Sequence, residues 1–219
     1  METGGCTDDT VGPHGRFVCV AVSNDTLTWR KPELDAERFE NSTATNCVLG
    51  PSSGYIEPGT VILNESPGHK PDERFLMVAT SKGDLTTPGH HASGAVMYKS
   101  ADGFRFTPMM SKPALTSSDT QNVVVWDSSY GSFFFYGRTH KLSPTARPCP
   151  GIPTSGSNKP GTHRPEGISR LRLGKGVTNW PVHAASDAPM IFSVDEDDPP
   201  CLDTYTNQRK GLFVLHARS

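Results

Sequence analysis

An all-β fold is expected from this sequence on three grounds. Nineteen Pro and 21 Gly among 219 residues leave few windows for a long helix and favour short strands joined by turns. The apolar runs are short, rich in β-branched and aromatic residues, and bounded by Gly, Pro, Asn, Asp and Ser, which is how strands and their turns read. A motif also recurs at nearly even intervals along the chain, the mark of a repeat architecture.

Taken in order, the elements repeat one plan. The first strand, RFVCVAVS (16–23), leads into SNDTLTWRKPEL from Ser23. A polar segment follows, then EPGTVILNESPGHKPDERFLMVAT (57–80), two apolar strands around a turn. The plan restarts with SGAVMYKS (93–100) and SADGFRFTPMMSKPAL from Ser100, then SDTQNVVVWDSSYGSFFFYGR (118–138), a hairpin turning at DSSYGS. A third strand, GISRLRL (167–173), opens the weaker copy LGKGVTNWPVHAAS from Leu173, which runs on to DEDDPPCLDTYTNQRKGLFVLH (195–216). The first two copies share Ser-x-Asp, an aromatic four residues after the Asp, and a later Lys-Pro. Trp29, Phe106 and Trp180 hold the aromatic place in the three copies and are almost equally spaced.

Repeated small antiparallel sheets of this length predict a β-propeller, whose innermost strands point one end at a central funnel. A two-sheet sandwich also uses short strands, but it has no need of a motif at regular intervals. Two full units and a partial third do not close such a ring, so the expectation is an incomplete propeller: an irregular segment 1–16, a propeller domain over 17–219, and a flexible insertion at 143–165.

Composition narrows the function classes. A net charge of −2 and a pI near 6.4 supply no basic footprint for nucleic acid or an anionic membrane. No run of about 18 apolar residues suits a transmembrane helix, and METGGCTDDTVGPHG lacks the form of a signal peptide. The chain reads as soluble, with its compartment open. Cys6, Cys19, Cys47, Cys149 and Cys201 are an odd set without a CxxC pair, against a zinc knuckle and a complete disulfide framework. Asn24, Asn41 and Asn64 begin glycosylation triplets, which matter only in a secreted protein. His90-His91 reads as loop, because neighbours on a strand face opposite ways, and DEDDPP reads as a solvated acidic loop without calcium-loop spacing. No metal or cofactor is expected.

WRKPELDAERFENSTATN, PGTVILNE with PDERFLMVAT, SADGFRF, DTQNVVVWD and DEDDPP, in this order over roughly 17–205, resemble uncharacterised relatives of the five-bladed propeller glycoside hydrolases, families 32 and 43. The resemblance implies antiparallel four-stranded blades and a carbohydrate held over the funnel by acidic residues from successive inner strands. Glycoside hydrolysis needs one carboxyl protonated to donate to the leaving oxygen and one ionised to attack or to activate water. Glu57, Asp119 and Asp203 stand at equivalent points ahead of the three expected inner strands. Asp119 is similar to the family's transition-state-stabilising acid, with Gln121, Asn122 and Tyr205 as polar or stacking neighbours of the sugar. Glu166 is the candidate general acid, although Arg164 and Arg170 flank it and a salt bridge there would depress its pKa. The family's Asn-Asp-Pro-like nucleophile turn is not seen. A non-catalytic carbohydrate-binding or scaffold propeller, or a non-functional truncated fragment, stands as the alternative. Asp25 and Asp102 read as turn-capping carboxylates rather than catalytic ones.

Overall fold

A computed structural model describes residues 17–39, 42–50, 55–82, 93–110, 113–116, 122–139, 167–176, 183–184 and 188–193. Among them the architecture is all-β, and the only helical element is a single 3-10 turn at Pro71–Glu73. Twelve strands follow in chain order: β1 (Val18–Cys19), β2 (Cys47–Leu49), β3 (Tyr55–Leu63), β4 (Phe75–Lys82), β5 (Ser93–Ser100), β6 (Thr107–Pro108), β7 (Leu115–Thr116), β8 (Val123–Asp127), β9 (Ser132–Thr139), β10 (Gly167–Gly174), β11 (His183–Ala184) and β12 (Met190–Ser193).

The chain forms two compact units, one of Met1–Gly137 with Arg170–Ala188, the other of Arg138–Ser169 with Pro189–Ser219. In the second, the first residues of β10 pair antiparallel with β12, Ile168 opposite Phe192 and Ser169 opposite Met190. The first unit holds the rest: a β1-β2 pair, a central meander β3-β4-β5, and β8-β9 continuing into β10. In the central sheet β6 and β7 share one edge of β5, with β11 running parallel beside β7. Apart from β11, the central sheet is an antiparallel meander with four strand positions, the last of them broken into β6 and β7. A closed ring of blades is not present among the described residues.

The central sheet is buried on both faces. On β4, Leu76 and Val78 join one apolar cluster while Met77 and Ala79 join another; on β5, Ala95 and Met97 separate in the same way from Val96 and Tyr98. The first cluster continues into Val124, Phe133, Phe135 and Leu173 of the β8-β9-β10 sheet, the second into Val18, Val20, Val48 and Leu49 around β1 and β2. Successive strand residues point to opposite faces, so a strand covered on both sides must be apolar throughout. That is why β4 and β5 read as unbroken runs, FLMVA and GAVMY.

The repeat is structural as well as sequential. Val22 bridges Arg30, and the equivalent residues of the second copy, Lys99 and Thr107, pair in the same sense. The turns they enclose share the same core of hydrogen bonds. Ser23 and Ser100 each donate through Oγ to Oδ1 of the following Asp25 or Asp102, at 2.9 Å in both. That Oδ1 then accepts the N–H groups of Leu27 and Thr28, or of Phe104 and Arg105, at 2.7–2.9 Å. One position in each turn is left-handed, Thr26 at φ 63° and Gly103 at φ 79°; glycine takes this conformation freely and threonine does not.

The β3–β4 connection is ordered by buried polar groups. Asn64, almost fully buried, donates from Nδ2 to Glu73 O at 3.0 Å, and its Oδ1 accepts Ser66 N and Oγ. A glycan on Asn64 is incompatible with this fold, whereas Asn24 lies exposed.

Candidate functional site

Of the residues expected to form the site, the structure describes Asn122, at the entry to β8, and Glu57 on β3. Asn122 is 0 % exposed; its side-chain Nδ2 donates to Thr80 Oγ1 at 2.9 Å, and its main-chain carbonyl accepts from Thr60 Oγ1 at 3.1 Å. Three strands are tied at one point, because Thr60 lies on β3, Thr80 on β4 and Asn122 at the entry to β8. Buried amides persist only when their donors and acceptors are matched, and here the matching partners come from distant parts of the chain.

Two glycines make the approach close. A Cβ at Gly59 would meet Val78 O and Val78 Cγ1 and would stand 2.8 Å from Asn122 O. At Gly137 it would stand 2.5 Å from Phe135 Cε1 and 3.2 Å from Asn122 Oδ1. Glycine inside a strand marks such approaches, and this was the available signal in PGTVIL for a junction that strand patterning alone misses. The bulges that flank Pro58 in the β3–β4 register also suit a residue without an N–H on an edge strand.

Of the residues expected to form the site, Asn122 is placed as a buried tie, with its amide bonded to Thr80 and no exposed surface. It positions the entry to β8. Glu57 lies on β3 with its backbone opposite Thr80, the residue that binds Asn122, so the first half of β3 runs past the entry to β8. Asp119, Gln121, Glu166, Asp203 and Tyr205 lie outside the described residues, as do His90, His91, the acidic run 195–200 and the 143–165 insertion. Among the described residues no group of three or more His, Cys, Asp or Glu is placed to hold a metal ion, and no helix is long and apolar enough to cross a membrane.

The two repeat aspartates act as turn anchors. The N–H of Thr28, then that of Leu27, then the Ser23 hydroxyl hold the Asp25 carboxyl well below the usual carboxylate range. Burial alone would raise Asp102, but the N–H groups of Arg105 and Phe104, the Ser100 hydroxyl and the Arg105 guanidinium outweigh it and bring its pKa to about 2. A carboxyl so held stays ionised at neutral pH and has no proton to donate. Both values are depressed on folding, so the stability these groups contribute is complete above the unfolded carboxylate pKa of about 4. It is lost as pH falls through the folded values. Denaturant midpoints of Asp102→Asn are therefore expected below wild type at pH 7 and to converge with it between about pH 4 and pH 2; a gap that persists unchanged at pH 2 would contradict this assignment.

No known protein family, curated protein or solved structure matches the chain.

Proposed function

We propose that this chain is a propeller-type domain that binds a carbohydrate at the entry ends of its inner strands and hydrolyses a glycosidic bond there. The observation that supports it best is the stacking of three sheets, antiparallel apart from β11, face to face through a doubly buried central one, with one Asp-anchored turn built twice in the same form. Neighbouring blades of a propeller pack in this way, whereas a sandwich has two layers. In such a ring β3 and β8 are the inner strands of successive blades.

Thr60 bonds to Asn122 O, and Glu57 and Asp119 each lie three residues before those positions. In a propeller these two carboxylates take neighbouring places at the funnel. Asp119 stabilises the transition state, and Glu57 or Asp203 attacks or activates water. Glu166 is the proton donor in this scheme, and Gln121 and Tyr205 contact the sugar.

Turnover of a panel of aryl glycosides and fructans by wild type and by Asp119→Asn tests the reading. Wild type is expected to hydrolyse at least one substrate, and the variant to lose roughly 10²–10³-fold in kcat/KM at an unchanged unfolding midpoint. Equal, background-level turnover by both proteins sinks hydrolysis. Sugar binding retained in a calorimeter would then assign a non-catalytic carbohydrate-binding domain instead.

A further inference from the structure

Cys19 and Cys47 face each other directly across the antiparallel β1-β2 pair. Val20 N donates to Asn46 O at 2.9 Å just beyond them, which makes Cys19 and Cys47 a non-hydrogen-bonded pair. At such pairs the Cα atoms are about 4.5 Å apart and side chains come closest, inside the range that a disulfide spans. Cys19 lies between Val18 and Val20, which both enter the apolar cluster beneath, while neither Cys19 nor Cys47 belongs to that cluster; the side chain of Cys19 points to the other face. Both cysteines are free thiols, Cys47 buried and Cys19 half-buried, and the Cys19 thiol feels the charge of Cys47.

We propose that Cys19 and Cys47 form a redox site that closes to a cross-strand disulfide when the chain meets a low-molecular-weight disulfide such as oxidised glutathione. Cys19, the more accessible, attacks one sulfur of the glutathione disulfide as its thiolate; a mixed disulfide forms and one glutathione thiolate leaves. The Cys47 thiolate then attacks the Cys19 sulfur, the Cys19–Cys47 bond forms and the second glutathione leaves. Two protein thiols are oxidised, one glutathione disulfide is reduced to two thiols, and the two protein protons pass to the departing thiolates. Burial, then the hydrogen bond and charge of Cys47, push the Cys19 thiol up to about 12, with Lys31 pulling the other way. Exchange at neutral pH is therefore slow. The product clips the segment 20–46, which carries the first Ser-x-Asp turn and the exposed Leu27 (86 %) and Trp29 (51 %), into a covalent loop.

The test is incubation of the whole chain in a glutathione redox buffer, followed by alkylation of the remaining thiols and peptide mapping. The expected result is one dominant linked peptide joining Cys19 to Cys47, with the unfolding midpoint raised by roughly 5–10 °C. Cys6→Ser/Cys149→Ser/Cys201→Ser should form the link as wild type does, and Cys19→Ser should not. Cys19 and Cys47 both still open to alkylation after prolonged oxidation, or linked to other cysteines instead of each other, would overturn the proposal.

Discussion

Phe135→Ala is expected to cost about 3–5 kcal/mol of folding stability. The ring is 1 % exposed and sits with Leu76, Val78, Met97, Val124 and Leu173 in the cluster between the central sheet and the β8-β9-β10 sheet. Its removal takes apolar surface from both sheets and leaves a cavity that two stiff layers cannot close. Phe134 alternates to the other face of β9, where it meets Tyr130 edge-on at 5.4 Å and the Arg170 guanidinium at 5.1 Å. Phe134 is buried too, at 4 % exposed, but it lies outside that cluster and is covered by Tyr130, which is more than half exposed, so Phe134→Ala should cost less. Urea midpoints of the two variants measured side by side decide it; equal losses would mean that the faces of β9 are assigned wrongly.

Gly59→Ala, a change of one methyl, should lower stability by about 1–3 kcal/mol. The new Cβ would run into main-chain oxygens of β4 and of Asn122, and a backbone carbonyl fixed in a sheet has no alternative rotamer to adopt. Relief requires β3 to move away from β8, which pulls on the bond between Thr60 Oγ1 and Asn122 O. Because Glu57 and Asp119 each lie three residues before one end of that bond, affinity for the sugar should fall with stability if the proposed site is right. Gly176→Ala is the control, since its Cβ meets nothing within 4 Å and its backbone is not left-handed; it should lie within about 0.5 kcal/mol of wild type. A Gly59→Ala chain as stable as Gly176→Ala would remove the close approach on which the site rests.

Much of the fold was legible because strands and turns are local chemistry. SGAVMYKS is β5 from end to end, VVVW and FFFY fall within β8 and β9, and GISRLRL lies in β10. The turn at DSSYGS is held as its residues suggest, by Asp127 Oδ1 accepting Ser129 N at 2.9 Å and by Gly131 at φ 53°. The candidate site was legible only as spacing. DTQN reads as a polar mouth on an apolar strand, yet Asn122 is wholly enclosed. Its polarity serves Thr80, a partner that no window of sequence around β8 contains.

The all-β class, the main strands, the Asx-type turns and the repeat all follow from the amino-acid order, since each depends on side chains within a few residues or on direct comparison of copies. Other features emerge only on folding: β4 and β5 are covered on both faces, Asn64 and Asn122 are buried ties, and Cys19 faces Cys47. The ties join groups 9 to 62 positions apart, and they depend on which faces of the sheets meet. That choice minimises exposed apolar surface over the whole unit, a quantity to which every strand contributes and which no single stretch of sequence contains.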